Sequence, residues 1–407
     1  MTPRFRPFRS VLAASGLGLC LTLSALSPSA WAADQAKSDE KIRPELGKFL
    51  QAAQQAIAAK NYQEALSQVA QTDAVKDKTP YEIYIIDRLR GAAAGGSGDL
   101  ATAAKSFGAA IDSGKMPAAD QVQVEGMMIG LYTNAKDYPN AVAWTQRYVK
   151  AGGNDPSILS NLVAEEYEAG DYAGASRDAQ AQIAAAEKAG QKPTETQIKI
   201  LAASYHKANN DTAYAAVIEK MVTYYPKPDY WADLIGHIDH KPGFSDRLFL
   251  DINRLQRVTG CLTNYDAMVE LDLQDGISSE AKSVADEGGS KVPKALQAKA
   301  AAAASDDRKK LDRDAKDAEG FKDGNVLVTI GYTFVGFGDT AKGIDLLQKG
   351  IAKGGLKHAD EAKLMLGIAY FQAGQMPKAI ETFESVTGGA GASDVAHLWT
   401  IRAKQGA

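Results

Sequence analysis

The sequence predicts an all-α fold built from a tandem series of helix–turn–helix units, and three observations carry that expectation. From position 33 onward, apolar residues recur at i, i+3, i+4 and i+7 within successive segments, with no long strand-like alternation. Short turns such as Lys60-Asn61, Lys136-Asp137, Gly170-Asp171 and Gly374-Gln375 separate these segments. Small residues return at a regular stride: Ala65, Ala103, Ala141 and Ala175 stand 38, 38 and 34 apart, and Gly343 and Ala379 stand 36 apart. A helix pair of that length cannot bury its apolar stripe alone, so such a stride means neighbours stack.

Composition bounds the function classes. The chain has 407 residues with 46 Lys+Arg against 50 Asp+Glu, and this near-balance lacks the basic excess of a general nucleic-acid surface. With 45% hydrophobic and 24% charged residues, wholesale disorder is excluded. Two Cys in the whole chain exclude a disulfide scaffold and a multi-Cys zinc module.

Residues 1–32 read as a cleavable secretory signal. Arg4, Arg6 and Arg9 precede an apolar run from Val11 to Leu26, then Ser27-Pro28-Ser29 and the small-residue cut Ala30-Trp31-Ala32. The run is too short for a membrane span. Cys20 follows the large Leu19, a departure from the lipoprotein box. Cleavage leaves 375 residues of net charge −7 with Cys261 as the single cysteine, and the expected location is the periplasm, with secretion as the other destination. No membrane span is expected after cleavage.

The array begins at 33 and runs to 226 as about five repeats. Asn61 to Ala65 supplies the first inter-helix turn. Gly91, Ala103, Phe107 and Ala110 follow as small-small-large-small positions, then Tyr132, Pro139 and Ala141, then Ala175, then Leu201, Ala202, Tyr205 and Ile218, with Tyr214 where a small residue belongs. Residues 227–290 hold irregular helix pairs, opened by the aromatic run Tyr224, Tyr225, Tyr230 and Trp231. Residues 291–320 turn Ala-rich and then charged, a helix that cannot bury a wide face and is expected to be a solvated spacer. A repeat pair at 321–400 follows, and a tail at 401–407.

The clearest unit is Leu366-Gly367-Ile368-Ala369-Tyr370, with Ala379 thirteen residues after the Leu and Phe383 four later. It resembles the tetratricopeptide repeat of exported proteobacterial proteins, a resemblance that implies a right-handed superhelical solenoid whose concave face is lined by first helices. Small residues let paired helices approach while Phe107 and Phe383 fill the space beside them. Carried onto this chain, the resemblance puts Arg88, Tyr167, Lys199, His206, Tyr332 and Phe371 in a groove for protein or peptide partners. The stretch around Tyr224 to Asp246 also resembles a segment of exported repeat proteins linked with envelope assembly or TonB-type energy transduction.

Chemical motifs point away from catalysis. Gly336-Phe337-Gly338-Asp339-Thr340-Ala341 mimics a dinucleotide fingerprint after an apolar run, but it falls in register with an inter-helix turn. Gly95-Gly96-Ser97-Gly98-Asp99 lacks a phosphate-loop Lys and reads as a turn. His237 and His240 lack further zinc ligands, and no serine-nucleophile motif is present. Glu165-Glu166 and Asp306-Asp307 are adjacent pairs read as solvated faces. The expectation is a non-enzyme without cofactor or metal: a scaffold for protein partners. Two other readings stand beside it, a cell-wall glycan or peptide module using the aromatic run and a metal-dependent enzyme around His237 to Asp246.

Overall fold

The computed structural model describes residues 41–406; the segment 1–32 expected to be a signal, with Cys20, lies outside them. Among the described residues every α-helix or 3₁₀ turn belongs to an all-α repeat solenoid, and no strand occurs. The chain divides into two compact units, the first ending at Asp211 and the second beginning at Thr212.

The first unit comprises α1 (Pro44–Ala58), α2 (Tyr62–Gln71), α3 (Pro80–Ser97), α4 (Leu100–Asp112), α5 (Ala118–Asn134), α6 (Tyr138–Lys150), α7 (Pro156–Glu168), α8 (Tyr172–Lys188) and α9 (Glu195–Lys207). Each helix packs on the one before it, and first helices also touch across repeats, as α1 does α3 and α5 does α7. Local chemistry sets the starts. Thr79 and Thr194 form capping boxes, and Asp99, Asp137, Asp155 and Asp171 accept a backbone N–H of the first turn.

Each turn inside a pair holds one residue in the left-handed region: Gly98 and Gly170, but also Lys60 and Lys136, both at φ 60°. A side chain there is strained, so Lys136→Gly is expected to raise stability by about 1 kcal/mol in urea denaturation. A loss of stability would show that the Lys136 side chain matters more than its backbone.

The small-large pairs work as close contacts. A Cβ on Gly91 would lie 2.8 Å from the Phe107 ring, and Ala103 and Ala141 have no exposed surface. The glycine run 95–99 departs from expectation: α3 continues through Ser97, and only Gly98 and Asp99 turn. Its reason is packing, since a Cβ on Gly96 would enter the Tyr62 ring of α2.

The second unit comprises α10 (Asp211–Tyr224), α11 (Pro228–Asp239), α12 (Phe249–Thr259), α13 (Tyr265–Gln274), α14 (Ser278–Gly288), α15 (Lys294–Glu319), α16 (Asn325–Gly336), α17 (Thr340–Lys353), α18 (Ala359–Gln372), α19 (Met376–Glu384) and α20 (Ala392–Lys404). It closes on itself. α20 packs on α18 and α19 and also back on α11 and α12. The seam is polar: Lys241 pairs with Asp394 at 2.9 Å, the Ser245 N–H donates to the Ala390 carbonyl, and Gln405 donates to the Val222 carbonyl. His397 lies 3.0 Å from Glu219.

Two expectations change here. The segment 291–320 is no detached spacer: α15 packs on α13, α14 and α16, burying Ala300, Ala304, Leu311, Ala315 and Ala318 along one stripe. Those residues are mostly small, so a charged helix finds contact through a narrow face. The tail at 401–407 is mostly helix: Ile401 and Ala403 lie buried in the last turns of α20. The run 325–335 is helical as well, and Gly338 sits at φ 89° in the turn before α17.

Candidate functional site

The predicted groove residues fall in both units. In the first, Arg88 of α3 reaches Asp120 of α5 at 3.1 Å, and Lys199 meets Glu195 one turn earlier at 2.6 Å. Tyr167 tilts against Tyr172 with ring centroids 5.4 Å apart, and His206 is exposed near the end of α9. Between them α5 and α7 carry Gly126, Gly130 and Ser160, which leave the backbone half-buried or exposed.

In the second unit the groove assignment fails for Tyr332, which is only 2% exposed because the Arg254 guanidinium lies over its ring at 4.5 Å. Phe371 is half-buried, in a T-shaped contact with Trp399 at 5.5 Å and with the Arg402 guanidinium 5.4 Å from its ring centroid. The repeat-defining residues are placed by packing: a Cβ on Gly367 would enter the Phe383 ring, Ala379 and Tyr370 are buried, and Leu366 is half-buried.

Buried carboxylates are the feature the sequence did not reveal. Glu165 and Glu166 are fully buried rather than solvated. Glu165 accepts from the Thr133 hydroxyl, and burial raises its pKa. Burial, and then the neighbouring Asp178, push Glu166 up to about 8 against the pull of Arg177. A carboxyl whose folded pKa exceeds its unfolded value contributes stability below the unfolded pKa and loses it as pH rises to 8. Glu166→Gln is therefore expected to stabilise the first unit at pH 8, by about 1–3 kcal/mol, and to change little at pH 4. Denaturation at both pH values checks the sign.

Glu82 behaves oppositely. Burial alone would raise it, but the Arg43 side chain and the Arg43 and Thr79 N–H groups hold it down to about 2.

The second unit has a hub. Alternate helices α12, α14, α16, α18 and α20 surround a cavity of about 430 Å³, with Arg254, Arg257, Glu280, Tyr332, Gln372 and Trp399 among its walls. On one side of α15 the second helix of each pair faces inward, and on the other side the first helix does. The single helix α15 thus shifts the phase of the array. Arg254 is 2% exposed and touches Asp251 at 2.9 Å and Glu280 at 2.7 Å, with Asp272 at 3.8 Å. Burial raises Asp251 to about 6 despite Arg254, and burial with Glu280 beside it keeps Asp272 protonated far above the carboxylate range.

The other chemical candidates resolve plainly. His358, Asp360 and Glu361 bring ligand atoms within 4.8 Å of one another. The Arg247 guanidinium already spans them, at 3.0, 2.7 and 2.8 Å, as a clasp between the turn before α12 and α18. His240 is exposed and bonds Asp239 and the Gly236 carbonyl, while His237 packs toward Tyr214. Tyr214 is buried and donates to Asp233, which explains a large residue at a small-residue position. Within the aromatic run Trp231 is 1% exposed and packs in the core, while Tyr224, Tyr225 and Tyr230 are half-buried. Cys261 is half-buried beside the Thr259 hydroxyl, and burial raises its thiol pKa. No helix among the described residues is long and apolar enough to cross a membrane.

No protein-family model matches the chain, and no curated protein matches it. Solved structures that it resembles include a Naa15/Naa10 complex bound to HypK-THB, at 14% identity over 85% of this chain and 69% of that one, TM-score 0.25. Yeast Tom70 is another, at 12% identity over 88% of this chain and 96% of that one, TM-score 0.24. The repeat architecture rests on the packing described above.

Proposed function

We propose that this chain is a non-enzymatic, tetratricopeptide-like scaffold of the exported proteobacterial kind, holding protein partners on the first-helix surface of its N-terminal unit within the periplasm. One observation carries the reading. Along α3, α5, α7 and α9 a partly exposed cation, then small residues, then the Tyr167 ring, tilted against Tyr172 at the start of α8, then a second cation follow one another. Gly130 and Ser160 keep large side chains off this surface, while Arg88 and Lys199 supply donors to the carbonyls of an approaching backbone. Envelope assembly and TonB-type energy transduction are the settings this role would serve.

The test is site-specific photocrosslinking in intact cells. A probe at Ser160 is expected to capture a discrete protein partner, and one at Gln180, exposed on the second helix α8, is not. Equal capture from both sites, or none from either, would refute the assignment. Amino-terminal sequencing of the mature chain checks export: it is expected to begin at Ala33.

A further inference from the structure

The hub cavity has a chemistry of its own, independent of the scaffold surface. Its volume of about 430 Å³ falls within the roughly 300–1,000 Å³ usual for small-molecule sites. Three buried side chains in its wall carry a polar atom without a hydrogen-bond partner in the chain, the Tyr332 hydroxyl, the Trp399 Nε1–H and Arg254 Nη2, the last still ion-paired with Glu280 at 2.7 Å. Leaving such a group unmade costs about 1–3 kcal/mol, and because these atoms have almost no accessible surface, a ligand gains by pairing them through a small shift of the wall. Beside them donors and acceptors alternate: Arg254 Nε donates to Glu280, and Arg257 donates to Glu287 and to the Ser283 hydroxyl, each at 2.7 Å.

Charge selects the ligand class. Both signs line the same space, with Asp251 and Asp272 behind Arg254. A carboxylate entering would meet Glu280 and Glu287, and an ammonium would meet two guanidinium groups. A hydroxyl carries no net charge and both donates and accepts, so it sits between a guanidinium and a carboxylate leaving neither unpaired. Val335 and Ile368 offer apolar wall to the C–H face of a ring. Trp399 stacks on Phe383, meets Phe371 in a T-shaped contact and is fully buried, so it offers the cavity no open stacking surface.

We propose that this cavity binds a small uncharged, hydroxyl-rich ligand of the sugar class. The assignment goes beyond the scaffold reading and stands or falls separately from it.

The experiment titrates the full chain, freed of its signal, with glucose, N-acetylglucosamine, maltose and trehalose. Glucose 6-phosphate, glucosamine and N-acetylalanine methylamide serve as charged and amide comparisons. Calorimetry and Tm shift are the readouts. At least one neutral sugar is expected to bind saturably and raise Tm. Arg257→Gln, at the partly exposed mouth, should weaken that binding about tenfold or more while the ligand-free Tm stays nearly constant. The proposal is overturned if no neutral sugar binds, if a charged or amide compound binds in preference, or if Arg257→Gln leaves the affinity unchanged.

Discussion

Arg254→Met is expected to destabilise the second unit by about 3–5 kcal/mol, the cost of leaving buried charge without its partner. The guanidinium is 2% exposed and is surrounded by Asp251, Asp272 and Glu280, with the Tyr332 ring beneath it. Methionine fills much of the volume but returns no charge, so the carboxyls must protonate or the helices must part. That makes the loss depend on pH. Asp251 already titrates at about 6 in the native state, above its ordinary value, so its contribution is present at low pH and lost as pH rises through that range. Without Arg254 its pKa climbs further, and the penalty at pH 8 should exceed that at pH 5.

Asp272→Asn supplies the contrast. Its carboxyl already holds a proton, so an amide in its place is expected to cost little or to stabilise. Urea denaturation of both variants at both pH values decides the matter. An Arg254→Met loss below 1 kcal/mol, or one flat with pH, would show that the cluster relaxes into water.

Trp399→Ala is expected to cost about 3–5 kcal/mol through cavity formation. Its side chain is fully buried, stacked on Phe383 at 5.6 Å and edge-on to Phe371 at 5.5 Å. Because α20 joins the last repeat to α11 and α12, truncation there should also loosen the closure. Hydrogen exchange is then expected to show residues 392–404 losing protection before the remainder of the second unit. If stability falls by less than 2 kcal/mol and protection fades evenly, α20 is a passive cap rather than the element that closes the unit.

The sequence was most legible where the physics is local. Gly91 and Phe107, or Gly367 and Phe383, are separated by one turn between paired helices, and small-against-large is the same solution each time. The turn at Lys136-Asp137 was readable for the same reason, since capping and the left-handed residue concern neighbours in the chain. The groove residues were less so. The repeat frame fixes which position Tyr332 occupies, but not that Arg254, 78 positions earlier, lies on its ring.

Asp251 and Arg254 stand three apart on one helix face, a pattern that in sequence reads as an exposed pair. Only the arrival of Asp272, Glu280 and Tyr332 from other helices buries it. Glu165-Glu166 misled in the same way: charged residues name their solvation preference, and burial was imposed by the helices stacked on either side.

The amino-acid order by itself determined the class of fold, the helix–turn–helix stride and the positions of close helix approach, because these depend on periodicity and turn chemistry within a few dozen residues. Tertiary structure alone decided that the second unit closes, that α15 shifts which helices face inward, and that a charged hub with a cavity results. Closure joins residues 111 to 183 positions apart, through Arg247 with His358, Lys241 with Asp394 and Gln405 with Val222. Such polar contacts have no period to read, and each side chain involved would be equally at home in water until the opposite helix is brought to it.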